Sequence, residues 1–309
     1  MRAERTLHRF VRVVGSALLV AGCAHKPPPS LHSARLIVDS SGGDVRPYVR
    51  AKVAGQPMKL LLDTGAFRSV IPYEFARANG LLRNARTTGD LLVDAHGNAV
   101  PMSVVPDVPV QFEGEATGGT LEFVINPTGA NEGVLLPQDI VRPGFVLIID
   151  LGHEELRYEA EESALKRFRD EASSALRELD YKGCINEGFF ERGHRIVAAS
   201  INGVSANMLV DTGASRTMLT RNNPALASMS ERIGKIGATG AMHSVGKALM
   251  VPDVPIVVSQ TSFRMPVLVN PQSSSCWQGA IGADLLRHCT LVWGWSSLWT
   301  ACRAPDDGE

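Results

Sequence analysis

A chain of 309 residues that is 44% hydrophobic and 20% charged carries enough apolar mass for the cores of two modest domains, which excludes an intrinsically disordered protein. Its 31 basic and 32 acidic residues nearly cancel. No cationic excess is available to neutralise phosphates, so nucleic acid is excluded as an expected partner.

The first residues are set apart chemically. Arg2, Arg5, Arg9 and Arg12 precede an apolar run at 13–20, followed by Ala21, Gly22 and Cys23. A basic start, a short apolar stretch and small residues define a secretory signal over residues 1–22, and the stretch is too short to span a membrane. The small residues ahead of Cys23 resemble the lipobox of bacterial lipoproteins. That resemblance implies cleavage before Cys23, lipidation there, and an exported protein anchored in the cell envelope, in the outer membrane facing the periplasm. Cleavage removes four arginines and one glutamate, leaving 27 basic and 31 acidic residues and a formal net charge of −4. Residues 25–33, with Pro27, Pro28 and Pro29 at their centre, read as an extended spacer, and residues 23–44 are assigned to tether and spacer.

From Pro47 onward, short apolar segments such as YVRAKV, MKLLLD, SVIPYEF, VPVQFE, TLEFVIN and FVLIID are broken by Gly, Asn, Asp and Pro. Segments of this length between such breakers predict strands and turns, and hence an all-β fold. Residues 159–180 differ. They contain neither Gly nor Pro and set Leu165, Phe168, Ala172, Ala175, Leu176 and Leu179 on one face, a pattern that predicts an amphipathic helix. From Arg195 the strand pattern resumes.

The second half repeats the first. LLLDTGA around Asp63 matches MLVDTGA around Asp211, and VVPDVPV around Asp107 matches MVPDVPI around Asp253. Asn126 and Pro127 match Asn270 and Pro271, and LLPQDIV around Asp139 matches AIGADLL around Asp284. Matches in one order along the chain mark an internal duplication. It divides the chain into a first lobe at 45–159, a helical linker at 160–182 and a second lobe at 183–304. The last alignment sets Pro137 opposite Gly282. Because Pro has no N–H to donate, the support behind Asp63 is expected to differ from that behind Asp211.

Each Asp-Thr-Gly closes an apolar strand, where Gly permits a tight turn. Two carboxylates that meet across a pseudo-twofold axis cannot both ionise. One pKa falls, its partner rises, and the pair carries one proton. The ionised member can then take a proton from a water attacking a peptide carbonyl while the other donates to the carbonyl oxygen. That chemistry requires no metal, cofactor or covalent intermediate, and the cysteines and histidines show no metal-ligand spacing.

The apolar triplet, the Asp-Thr-Gly-Ala run, a Ser or Thr three positions further (Ser69, Thr217) and the Ala280-Ile281-Gly282 segment resemble retropepsin-like aspartic proteases, in a tandem, single-chain form. The resemblance covers residues 45–302. It implies a two-lobed acid-protease fold of β-barrel-like lobes and an aspartic endopeptidase with Asp63 and Asp211 as catalytic carboxylates. It assigns Thr64 and Thr212 to tying the two turns together, and Gly65 and Gly213 to orienting the carboxylates. It places a substrate-covering hairpin in each lobe, with His96 and Gly97 at one tip and Thr239 and Gly240 at the other. The implied partner is a protein or peptide in extended conformation, and one chain suffices as a monomer. The competing function is a lipoprotein of this fold that binds peptides or a partner without cutting.

Four further cysteines, Cys184, Cys276, Cys289 and Cys302, would meet an oxidising compartment after export, and four thiols allow three pairings. Cys289 and Cys302 flank a predicted hairpin, TLVWGWSSLWTA, and would face one another across it. Cys184 with Cys276 follows by elimination. Trp277, Trp293, Trp295 and Trp299 are read as core or lobe-interface residues.

Overall fold

The computed structural model describes residues 31–40, 44–93, 99–127, 132–170, 176–182, 185–186, 189–190, 194–232, 234–236, 248–271 and 276–304. The repeat read in the sequence is a repeat of topology. In the first lobe an eight-stranded sheet runs in the order Ile37–Asp39, Arg46–Val53, Gln56–Leu62, Gly133–Leu135, Val70–Pro72, Gly119–Asn126, Ala99–Phe112, Arg86–Val93. In the second the order is Tyr181–Lys182, Ile196–Ile201, Val204–Val210, Gly279–Ile281, Met218–Thr220, Thr261–Asn270, Ala248–Val258, Gly234–Ile236. Strand for strand the two correspond. Each sheet also curls back on itself, through Arg46–Val53 pairing with Ala99–Phe112 and Ile196–Ile201 with Ala248–Val258.

Local chemistry explains the shared bends. The VPDVP runs interrupt their strands with a register shift between Val105 and Val108, and again between Val251 and Val254. Asp107 and Asp253 sit at these bulges with φ of 54° and 50°, a left-handed conformation that Asp tolerates better than most residues. The apolar triplets, by contrast, are buried on both faces. Leu60, Leu61 and Leu62, like Met208, Leu209 and Val210, are 5% exposed or less, because each run pairs in parallel with a short strand in the middle of its sheet. Continuous apolar sequence is the signature of such a central strand.

A third, six-stranded sheet joins the lobes in the order Ser33–Arg35, Glu155–Ala160, Phe145–Asp150, Cys289–Gly294, Leu298–Cys302, Arg177–Glu178. Its centre is the antiparallel pairing of Phe145–Asp150 with Cys289–Gly294, one strand from each lobe. One face presents Leu147, Ile149, Leu291 and Trp293 to the main core. On the other, Val146, Ile148 and Val292 pack under Ala164 and Phe168 of the helix Glu161–Asp170. The seam also holds a buried cation. Arg195 lies between the rings of Trp293 and Tyr181, 4.0 and 4.7 Å from their centroids, and donates to the carbonyl oxygens of Gly294 and Ser297 and to Gln138 Oε1. Burial pulls its guanidinium down to about 10.

Several expectations are revised. The helix spans Glu161–Asp170 rather than 159–180, and Arg177–Glu178 and Tyr181–Lys182 are strands of the central and second-lobe sheets. Leu179 N–H donates to Leu298 O at 2.8 Å. Sheet edges outcompeted a helical pattern that carries Ser173 and Ser174, both modest helix formers. The spacer also ends earlier than residue 44, since Ser33–Arg35 and Ile37–Asp39 are strands and Leu31 and Leu36 are buried. Residues 1–30, including Cys23, lie outside the described residues. Of the tryptophans, Trp293 is fully buried whereas Trp295 is 49% exposed. Among the described residues no helix is long and apolar enough to cross a membrane.

Cys289 and Cys302 face each other in register and are joined by a disulfide, with Cα atoms 4.0 Å apart. Cys276 is also disulfide-bonded, and Cys184 lies outside the described residues. Closing a loop with a sequence separation of 13 restricts the unfolded chain. Replacing Cys289 and Cys302 together by Ser is expected to lower the unfolding free energy by about 3 kcal/mol, read from denaturant midpoints under oxidising conditions.

Candidate active site

The two Asp-Thr-Gly turns meet. Each Asp leaves the end of its apolar strand with its N–H still held by the neighbouring short strand, Asp63 by Leu135 O at 3.0 Å and Asp211 by Ile281 O at 3.1 Å. The threonines that follow are fully buried and reach across the seam. Thr64 Oγ1 donates to Val210 O at 2.8 Å and accepts from Thr212 N–H at 2.9 Å. Thr212 Oγ1 donates to Leu62 O at 2.6 Å and accepts from Thr64 N–H at 3.1 Å. Each hydroxyl is donor and acceptor at once, so the four bonds close a symmetric knot between the lobes.

The knot presses each carboxyl onto the opposite glycine. A Cβ placed on Gly65 would stand 2.4 Å from Asp211 Cγ, and one on Gly213 would stand 2.2 Å from Asp63 Cγ. No other residue leaves that room, which gives the glycines a steric reason beyond turn formation. Gly65 N–H holds Asp63 Oδ1 at 2.8 Å, while Gly213 and Ala214 N–H hold Asp211 Oδ1 at 2.9 and 3.0 Å. The two carboxyls hydrogen-bond to each other. Burial and then the charge of Asp211 hold Asp63 well above the usual carboxylate range. Burial raises Asp211 as well, opposed by the Ala214 N–H, the hydrogen bond from Asp63, the Gly213 N–H and the charge of His194. The pair therefore retains a proton where isolated carboxylates would have lost theirs.

His194 carried no motif in the sequence, standing just before an apolar strand. It is buried, with Nε2 2.5 Å from Gly65 O and its ring edge-on to Trp277 at 5.9 Å. A contact to a carbonyl requires the proton on Nε2. His96 and His243 lie outside the described residues.

Behind the turns the repeat supplies a second pair of carboxyls. Ser69 donates to Asp139 Oδ2 through Oγ at 2.7 Å and through its N–H at 3.2 Å. Thr217 donates to Asp284 Oδ1 through both groups at 2.7 Å. Burial raises both acids, Asp284 to about 6. Here the expected asymmetry is corrected. Leu136, not Pro137, occupies the place of Gly282, since Leu136 N–H donates to Ser69 Oγ at 3.0 Å as Gly282 N–H donates to Thr217 Oγ1 at 3.1 Å. One extra residue before Asp139 shifts the match, and no donor is lost behind Asp63.

His96, Gly97, Thr239 and Gly240, the proposed hairpin tips, lie outside the described residues. The strands leading to them are paired, Val93 opposite Ala99 in one lobe and Ile236 opposite Ala248 in the other. Among the described residues no three His, Cys, Asp or Glu side chains cluster as metal ligands would.

Comparison with known proteins agrees with this geometry. Residues 49–140 match the family model of aspartyl proteases, which takes in Asp63 and most of the first lobe. The fold is similar to that of the aspartic proteinase from Irpex lacteus, with a TM-score of 0.51 at 11% identity, over 87% of this chain and 96% of that one. No curated protein matches the chain. The first lobe is thus similar in sequence to aspartyl proteases, and the chain as a whole shares the two-lobed fold of an aspartic proteinase.

Two predictions follow from the buried network. Thr212→Val strands the Thr64 N–H and the Leu62 carbonyl and is expected to cost about 2–4 kcal/mol of stability. Thr64→Val does the same from the other side, and the double variant should lose less than the sum in a denaturation cycle. The second concerns Asp284, whose folded value of about 6 exceeds the ordinary 3.8. Its stabilising contribution is complete below 3.8 and is lost as pH rises through about 6. Across that interval wild type should lose roughly 2–3 kcal/mol more than Asp284→Asn, measured by urea unfolding at several pH values.

Proposed function

We propose that the chain is an aspartic endopeptidase in which Asp63 and Asp211 share one proton at the lobe interface and activate a water against a peptide carbonyl. The observation that carries this reading is the contact of two buried carboxyls, each resting on the other turn's glycine. Asp63, held highest by burial and by its neighbour's charge, keeps the proton and donates it to the carbonyl oxygen. Each acid accepts two backbone N–H groups, Asp63 from Gly65 and Ala66 and Asp211 from Gly213 and Ala214, so it is the adjacent His194 that favours the ionised form of Asp211, and Asp211 takes the proton from the attacking water. Thr64 and Thr212 fix the distance between the two acids. By the resemblance to this family, the segments holding His96, Gly97, Thr239 and Gly240 would cover an extended substrate and pair with it as a strand.

Both acids come from one chain, so a monomer suffices. Export and a lipid at Cys23 place the enzyme on the envelope, with proteins of that compartment as substrates. Acyl mass on Cys23, lost in Cys23→Ser, tests the anchor separately from the chemistry.

The function is tested by cleavage of denatured protein across pH. Asp63→Asn and Asp211→Asn should each lower turnover by at least about a thousandfold, and the wild-type profile should be bell-shaped, falling on the acid side as both carboxyls protonate and on the alkaline side as both ionise. Substantial activity in either single variant would reject a shared site. A wild type that binds peptides yet cuts none at any pH would establish the binding lipoprotein instead.

A further inference from the structure

One end of the central sheet carries aromatic surface that the proteolytic site leaves unused. Phe145 and Trp295 are 40% and 49% exposed. Phe145 stacks flat on Tyr158, with ring centroids 5.2 Å apart, and because Val146 pairs with Gly294, the residue before Trp295, both aromatic positions lie at the same end of the sheet. Arg142 and Pro143 are exposed just ahead of them. The backbone under Trp295 is nonetheless fixed. Its carbonyl accepts from Gln138 Nε2 at 3.2 Å, Gly294 N–H donates to Ser297 O at 2.9 Å, and Ser297 Oγ donates to Glu161 Oε1 at 2.7 Å. A pinned turn that directs an indole into solvent is a preorganised anchor rather than a loose packing defect.

The chain enters the fold at this same end. Ser33 pairs with Arg157, and Tyr158 N–H donates to His32 O at 2.9 Å. Continuing that register brings Leu31 alongside Glu159, next to Ala160, which pairs with Phe145. In the sheet order the entering strand lies two strand spacings from Phe145 and three from the strand leading to Trp295, about 10 and 14 Å. Residues 24–30 separate Cys23 from Leu31, a reach of at most about 29 Å when fully extended.

We propose that this edge, Phe145 and Trp295 with Tyr158 and Arg142, rests on a lipid bilayer. The proposal deepens the reading of Cys23 as an anchor, because that tether would hold this end of the sheet against the membrane from which it starts. The Trp295 indole favours the headgroup region, where its apolar body and its N–H are both satisfied, while Tyr158, whose hydroxyl is buried, contributes the ring on which Phe145 stacks. The mature chain's net charge of −4 opposes adsorption to anionic lipid by bulk charge, so attraction has to be local, from the aromatic rings and Arg142.

The test uses the chain from Ala24 onward, which retains every described element and has no acylation site, with vesicles of phosphatidylethanolamine and phosphatidylglycerol. Wild type should cosediment with the vesicles. Phe145→Ser combined with Trp295→Ser should weaken partitioning by at least about tenfold while leaving casein cleavage intact, and Trp295→Phe should retain most of the binding. Arg142→Ser should weaken binding to these vesicles more than to phosphatidylcholine vesicles. Equal partitioning of wild type and the double variant would overturn the proposal, as would loss of a dimer in sedimentation velocity without a change in lipid binding, which would make the edge a contact with a second copy. Absence of acyl mass on Cys23 beside aromatic-dependent vesicle binding would remove the anchor reading and leave the surface standing.

Discussion

Everything in this molecule answers to the need to hold two carboxyls together in a buried place. Like charges in a dry interior repel strongly, and burial holds both carboxyls above their ordinary range. The threonine knot makes that proximity obligatory. Thr64 and Thr212 each find both of their hydrogen-bond partners on the opposite turn, so neither turn is satisfied alone. Separating the lobes would strand buried polar groups on both sides at once, which ties the integrity of the site to that of the fold.

Around that knot the molecule is nearly symmetric, and its departures from symmetry are informative. The lobes share strand order, bulges and the hydroxyl–carboxyl pairs behind each turn. What differs lies along the seam. His194 caps the Gly65 carbonyl from the second lobe, whereas the corresponding stretch of the first lobe offers Arg46, which pairs instead with Glu132 at 2.9 Å. Arg195 fills the second-lobe side of the interface, a buried cation held by carbonyl oxygens and two aromatic faces. The two acids therefore experience different surroundings although their own turns are copies. A symmetric scaffold with an asymmetric seam raises both carboxyls by burial but sets the charge of His194 against the rise of Asp211.

The central sheet does a second job. By pairing Phe145–Asp150 with Cys289–Gly294 it fixes the lobes relative to each other away from the turns. Its buried faces, Leu147 and Trp293 on one side and Val146 and Val292 under the helix on the other, resist shear that would pull the carboxyls apart. Its exposed end also gathers the entry of the chain and the aromatic edge in one place.

Local pattern made much of this legible. Apolar runs broken by turn formers gave the strands, the repeated Asp-Thr-Gly gave the two turns, and the hairpin around Trp295 gave the Cys289–Cys302 bridge, because all three depend on neighbours in sequence. Where partners are distant the pattern misled. Residues 177–182 carry a helical period yet join two sheets, because their binding partners, Thr300 and Val197 among them, are brought near only by the folded lobes. The alignment of Pro137 with Gly282 was wrong by one residue, since hydrogen bonding to Ser69 and Thr217, not spacing from Asp139 and Asp284, defines equivalence.

The sequence by itself therefore determined which groups the protein possesses: two carboxyls at strand ends, each followed by a hydroxyl and a glycine, in a duplicated all-β chain. Only the tertiary structure decided what those groups experience. The closeness of Asp63 to Asp211, the desolvation that keeps a proton between them, the histidine beside one and the exposure of Trp295 all depend on surfaces meeting from far along the chain. Burial and electrostatic fields are properties of that meeting, and no local run of residues encodes them.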